Sequence, residues 1–147
     1  MDYSPEPYAD DNIFARILRE EIPSFRVYED ADTVVFMDIM PRVAGHMLVI
    51  PKTPCRNMLD ASAEQLTACL MTAQKVSLAL LGAPYGADGV TLQQFNEPAG
   101  GQEVYHLHFH ILPRRDGDSL RPPGQMADME DLKAEAERIR AAIEAAG

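Results

Sequence analysis

The sequence predicts an α+β fold, on three observations. Extended segments follow one another through short turns, helical segments collect to one side of them, and 147 residues at 46% hydrophobic content make one domain with a normal core. Hairpin-linked strands of this kind favour α+β over a parallel α/β sheet.

Residues 1–10 are rich in Pro, Asp and Tyr and are expected to form a flexible or loosely docked N-terminal arm. Ile13-Phe14-Ala15-Arg16-Ile17-Leu18-Arg19 has helical apolar spacing and stops before Pro23, so it predicts a short helix. Phe25 to Glu29 and Thr33 to Asp38 read as strands flanking an Asp30-Ala31-Asp32 turn. Pro41 and Gly45 bracket the connection to a third strand, His46-Met47-Leu48-Val49-Ile50, which ends at Pro51. Ser62-Ala63-Glu64-Gln65 is a capping-box pattern opening a long helix to about Leu81. Its predicted apolar stripe is Leu66, Leu70, Ala73, Val76 and Leu80, and Gly82 with Pro84 stops it. Val90 to Asn96 is a further strand, and Gly100-Gly101 loops into a last one. A Pro/Gly-rich loop from Asp116 to Gln125 precedes a helix from about Asp128 to Ala145, with Leu132, Ala136, Ile139 and Ile143 as its packing stripe. The open edge of so small a sheet invites a second copy.

The formal charge of −10 argues against binding duplex nucleic acid or an anionic membrane, though not against a small nucleotide held by local donors. No apolar stretch is long enough to span a bilayer, and Met1-Asp2-Tyr3-Ser4-Pro5-Glu6-Pro7 lacks the charged-then-apolar pattern of a signal peptide. Cys55 and Cys69 make no C-x-x-C pair and no disulfide framework, so the expected compartment is the reducing cytoplasm.

The last strand carries the chemistry. His106-Leu107-His108-Phe109-His110 holds three of the four histidines at alternate positions, which in an extended chain puts them on one face. Three readings are open for such a row. One is a polar strand face; another is a metal site, since His-x-His presents two nitrogens to zinc; the third is nucleophilic catalysis with one imidazole oriented by its neighbours. Successive rings diverge along a strand, which counts against three ligands on one metal. The surroundings suit a single phosphate: Gly100-Gly101 can turn N–H groups to an anion, Gln102 adds a side-chain donor, and Asn96 and His46 can approach from neighbouring segments. Arg114 and Arg115 follow Pro113 and read equally well as solvated surface, while Ile13, Phe14, Ile17 and Phe36 are ordinary core candidates.

His106-Leu-His-Phe-His110-Ile-Leu resembles the His-x-His-x-His-x-x motif of the histidine triad (HIT) superfamily of nucleotide hydrolases and transferases. The resemblance runs from about Asn12 to Arg115 and includes Ile13-Phe14, Glu21-Ile22-Pro23, Asp38-Ile39, Gly45-His46, Val49-Ile50-Pro51-Lys52, Asn96-Glu97 and Gly101-Gln102. Its early segments look like the Hint-like branch found among bacterial HIT proteins. The resemblance implies a HIT domain over 11–115, with the arm before it and a C-terminal loop and helix, 116–147, after it. The implied fold is a five-stranded antiparallel sheet with two main helices plus the C-terminal one, two copies joining into a ten-stranded sheet.

The resemblance also implies roles. His108 matches the nucleophile that attacks the α-phosphorus and carries a nucleotidyl intermediate; His110 matches the residue at the phosphate or leaving group. His106 and His46 match the set that orients the nucleophile. Asn96, Gly101 and Gln102 fall where the family binds phosphate and arranges the loop, and Asp38 where a carboxylate holds the ribose hydroxyls. Ile13, Phe14, Ile17, Phe36 and Ile39 match the apolar walls of a purine pocket, for an AMP or GMP derivative. The implied activity is hydrolysis of nucleoside phosphoramidates, with dinucleoside polyphosphate hydrolysis or a nucleotide-binding adaptor role as alternatives. No cofactor is implied, nor a metal: Asn12 and Ala15 stand where some bacterial relatives carry a zinc-binding Cys-x-x-Cys. Glu103 replaces a common Ser or Thr, and is expected to point away from the phosphate or to favour a cationic leaving group.

Overall fold

The first hairpin is set by one carboxylate. Asp30 Oδ1 accepts from the N–H of Asp32 at 2.9 Å and of Thr33 at 2.8 Å, closing the turn between β1 (Arg26–Glu29) and β2 (Thr33–Met37). A computed structural model describes residues 2–147. In it β3 (Met47–Pro51), β4 (Gly89–Gln93) and β5 (Phe109–Arg114) complete an antiparallel five-stranded sheet in the order β1-β2-β3-β5-β4. The α+β class and strand number match the expectation.

Alternation along the strands divides the sheet into two faces. Val35, Met37, Met47, Val49, Phe109 and Ile111 lie on one face, in a core shared with α2 (Ala63–Leu80) and α3 (Met129–Ala145). Val34, Phe36, Leu48 and Ile50 lie on the other, covered by Phe14 and Ile17 of α1 (Ile13–Leu18). Both faces of the central strands are therefore dry, and β2 and β3 are buried at every position.

The helix caps follow the sequence. Ser62 and Gln65 exchange the two bonds of a capping box, and Asp128 accepts from the N–H groups of Glu130 and Asp131. The predicted stripe of α3 is fully used, Leu132, Ala136, Ile139 and Ile143 all being buried. The stripe of α2 needs correction. Leu70 is 46% exposed, and Cys69 and Thr72 take the inner positions beside Ala73, Val76 and Leu80. Thr72 turns inward because its hydroxyl pairs with that of Thr33 at 2.8 Å.

Two other predicted elements are shorter than expected. The Val90–Asn96 strand stops at Gln93, since the side-chain amides of Gln94 and Asn96 pair with each other and Asn96 Oδ1 also takes the Met58 N–H. The histidine strand begins its ladder only at Phe109, because Leu107 N–H is already donated to Cys55 O at 2.9 Å.

The chain after β5 returns to the β2–β3 connection. Arg121 N–H donates to Arg42 O at 2.7 Å and Ala127 N–H to Ile39 O at 2.9 Å. The connection that carries Asp38, Arg42 and His46 is thus held from outside by the C-terminal loop. No helix among the described residues is long and apolar enough to cross a membrane.

Candidate active site

The four histidines converge although only His110 lies on a strand. His110 is paired in register with Leu48 of β3, two residues past His46, and the His46 and His110 rings stand 5.1 Å apart. His108 and His110 are also 5.1 Å apart, centroid to centroid. Phe14 of α1 meets His108 edge-on at 4.8 Å, and Phe95 meets His110 at 5.5 Å.

Burial pushes all these rings toward the neutral form: His46 and His106 to about 4, His110 to about 3, and His108 in the same direction. With each ring neutral, the backbone fixes every tautomer. Pro51 O can only accept, so His106 carries its proton on Nε2 and donates it there at 2.9 Å. Its bare Nδ1 accepts from the Tyr8 hydroxyl at 2.6 Å. His108 Nδ1–H donates to His106 O at 2.8 Å, which leaves His108 Nε2 as a bare lone pair.

The second chain starts from a donor. Arg42 N–H points at His46 Nδ1 at 3.0 Å, so the His46 proton lies on Nε2 and is donated to His110 Nδ1 at 2.9 Å. His110 must then carry its own proton on Nε2. The two rows end on adjacent rings, one with a bare nitrogen and the other with an N–H: a lone pair beside a donor.

Asp38 completes the cluster. Its Oδ1 accepts from Met40 N–H at 2.8 Å, its Oδ2 lies 3.5 Å from His46 Nε2, and burial raises its pKa, with the Glu103 charge adding to the effect. His46 is neutral, so the contact is not an ion pair. Donor atoms of Asp38, His46 and His110 lie within 4.8 Å of one another, a spacing that would suit a metal ion. The hydrogen bonding argues otherwise. A metal-bound imidazole donates its outer N–H, whereas His46 receives one from Arg42 and so has no lone pair on Nε2 to give.

The phosphate-loop candidates behave differently from one another. Gly101 caps a short 3₁₀ turn at φ 94°, a conformation that favours glycine. Gln102 is buried, and both its amide hydrogens are already used, on Arg56 O at 2.8 Å and Val104 O at 3.0 Å. Its oxygen accepts from Asn57 Nδ2 and Glu97 N–H. The expectation that Gln102 offers a spare donor to an anion is therefore corrected: it arranges the loop. Asn96 donates one amide hydrogen to Gln94, and its oxygen accepts from Gln94 Nε2 and the Met58 N–H. Arg114 is bonded to Asp118 and Arg115 to Tyr85 O.

Of the apolar wall candidates, Phe14, Ile17 and Phe36 pack together, with Phe14 and Phe36 5.4 Å apart edge-on. Ile13 and Ile39 stay 41% and 39% exposed, apolar groups without cover beside the cluster. Sequence reasoning missed three contributors: Tyr8, the Arg42 N–H, and Glu97. Arg56 grips the Glu97 carboxylate at 2.8 and 2.9 Å, Tyr3 and Asn57 add bonds, and together they hold it down to about 2. The Tyr content of the arm was the signal for Tyr3 and Tyr8; nothing in the sequence pointed to a backbone N–H.

The profile of the HIT domain family matches residues 19–117. The chain belongs to the HIT family. A HIT-like protein of Bartonella henselae, solved with an unknown ligand, is 51% identical and superposes with a TM-score of 0.87 over 93% of this chain and 99% of that one. A zinc-bound histidine triad family protein of Mycobacterium smegmatis is 31% identical with a TM-score of 0.83, over 92% of this chain and 94% of the other. The adenosine 5′-monophosphoramidase HNT1 of Saccharomyces cerevisiae is 35% identical over 82% of this chain and 75% of its own length. The neutral rings have a consequence for stability. A histidine whose folded pKa lies below its unfolded value takes up a proton on unfolding, so stability is full above the unfolded pKa and is lost as pH falls. The urea midpoint is expected to drop between about pH 6.5 and pH 5, where histidine titrates in the unfolded chain and most carboxylates remain ionised. A flat midpoint across that interval would show that the folded rings titrate where the unfolded ones do, with no shift from burial.

Proposed function

We propose that this chain hydrolyses purine nucleoside phosphoramidates through a nucleotidyl-histidine intermediate on His108. The single observation that carries the reading is the pairing of a bare His108 Nε2 with the N–H of the neighbouring His110 ring.

In the proposed reaction Nε2 of His108 attacks the α-phosphorus in line, forming a P–N bond as the bond to the leaving amine breaks. The phosphate anion opposes the effect of burial and favours a second proton on the His46–His110 pair. That proton passes to the departing nitrogen, which takes the electron pair of the broken bond. Water then attacks phosphorus, returns a proton to the pair, releases the nucleoside monophosphate and restores His108. His106 orients the nucleophile, Asp38 accepts the ribose hydroxyls, and Ile13 and Ile39 cover the base with Phe14, Ile17 and Phe36 behind them. Gly101 shapes the phosphate loop, held by Gln102 and Asn96. The charge of Glu103, which acts on Asp38, favours a leaving amine that carries a cationic group elsewhere on its chain.

Relative turnover of an adenosine 5′-phosphoramidate of an alkyl amine and of a diadenosine polyphosphate tests the reading. Faster cleavage of the P–N substrate is expected. Preference for the polyphosphate would assign the chain to dinucleoside polyphosphate hydrolysis, and tight AMP binding with no turnover of either would make it a nucleotide-binding adaptor.

A homodimer goes with this reading. β4 is an edge strand, and Leu70 and Leu81 of the α2 region and Leu92 of β4 are exposed apolar groups. A second copy added along β4 would cover them, and sedimentation at micromolar concentration should give twice the chain mass.

A further inference from the structure

The chain of bonds that orients His108 begins on the N-terminal arm. Tyr8 donates its hydroxyl to His106 Nδ1 at 2.6 Å and meets that ring edge-on, the centroids 5.7 Å apart. The arm is pinned on both sides of Tyr8. Tyr3 donates to Glu97 at 2.8 Å before it; after it, Asn12 Nδ2 donates to Ala9 O at 2.8 Å and Arg19 to Asp10 O at 2.9 Å.

His106 is wholly buried, and both its ring nitrogens are paired, Nε2 to Pro51 O and Nδ1 to Tyr8. Two opposed bonds stop the ring from flipping or sliding. His106 O, on the same residue, is the acceptor that keeps the His108 proton on Nδ1 and its lone pair on Nε2. Take away the Tyr8 hydroxyl and a buried acceptor is left without a partner, a costly state that His106 relieves by shifting or by taking a proton.

We propose that Tyr8 is a positioning residue for the nucleophile, acting through His106, and that the arm is a working part of the site. The proposal rests on the reading of His108 as the attacking group. Tyr8 reaches the chemistry through a ring on the side of His108 that is tied to backbone, and among the described residues its hydrogen bond and its ring contact are both to His106. Its loss is therefore felt in the chemical step rather than in nucleotide binding.

Tyr8→Phe keeps the edge-on ring and removes one oxygen, so it separates the bond from the packing. The rate of nucleotidyl-enzyme formation from an adenosine 5′-phosphoramidate, followed by rapid quench, is expected to fall about tenfold with KM unchanged, as for one lost buried hydrogen bond. A wild-type rate, or a loss confined to KM, overturns the proposal. The ¹⁵N shifts of the His106 and His108 rings give a readout that needs no turnover. In Tyr8→Phe the His106 Nδ1 signal should move and His108 should become a mixture of tautomers; an unchanged His108 pattern overturns the proposal. If wild type forms no nucleotidyl-enzyme yet the ¹⁵N shifts move as expected, the positioning role stands and the proposed activity falls.

Discussion

His108→Ala is expected to lower phosphoramidate turnover by about 10⁴-fold or more while AMP binding changes little. The two effects separate because of what His108 holds. Its Nδ1 bonds only to His106 O, and its ring packs against Phe14, so the groups proposed for ribose and base do not depend on it. Alanine removes the lone pair that makes the covalent bond and leaves the His46–His110 donor pair intact. The substitution also opens a small cavity next to Phe14 and frees one buried carbonyl, which costs stability but is tolerated by a site fixed from β3 and β5. Rapid-quench kinetics and calorimetric titration with AMP measure the two sides. Loss of AMP binding in step with turnover would make His108 a structural residue and remove the covalent mechanism.

How much of this was legible beforehand can be argued element by element. Strands β2 and β3 came from apolar, β-rich runs bounded by turn and proline signals, and both lie within one residue of where those signals put them. Alternation placed His106, His108 and His110 on one side of the chain correctly, although the ladder reaches only the last of them. Periodicity erred on α2, where Leu70 fits the stripe as well as Cys69 does. A tertiary bond, Thr72 to Thr33, turned the helix by one position, and no local signal encodes it. The roles of the four imidazoles are the clearest case of what stays hidden. Chemically they are identical, and they are told apart by Pro51 O, His106 O and Arg42 N–H. Such groups belong to every residue type, so only the folded backbone says which nitrogen keeps its proton.

Gly45→Ala is expected to cost roughly 2–4 kcal/mol of stability, from a positive-φ penalty and overpacking together. Gly45 sits at φ 88°, and an added Cβ would lie 2.3 Å from Tyr85 Oη and 3.1 Å from Pro113 Cγ. The tyrosine cannot step aside easily. Its hydroxyl is bonded to Glu135 of α3, and the Arg115 and Arg138 guanidinium groups lie 5.0 and 5.2 Å from its ring centroid. The backbone must move instead, and the next residue along it is His46. A shift there loosens the Arg42 N–H to His46 and His46 to His110 bonds, so turnover falls with stability. The partition can be measured with a cycle on Tyr85→Phe, which deletes the colliding oxygen but keeps the ring. Gly45→Ala should cost less in the Tyr85→Phe background than in wild type, the residue being the φ penalty and the contact with the ring carbon at 3.4 Å. Strict additivity in urea unfolding would mean that the two residues do not collide and that Gly45 is required for its φ alone. The same cycle read by turnover tests whether α3, through Glu135 and Tyr85, sets the position of His46.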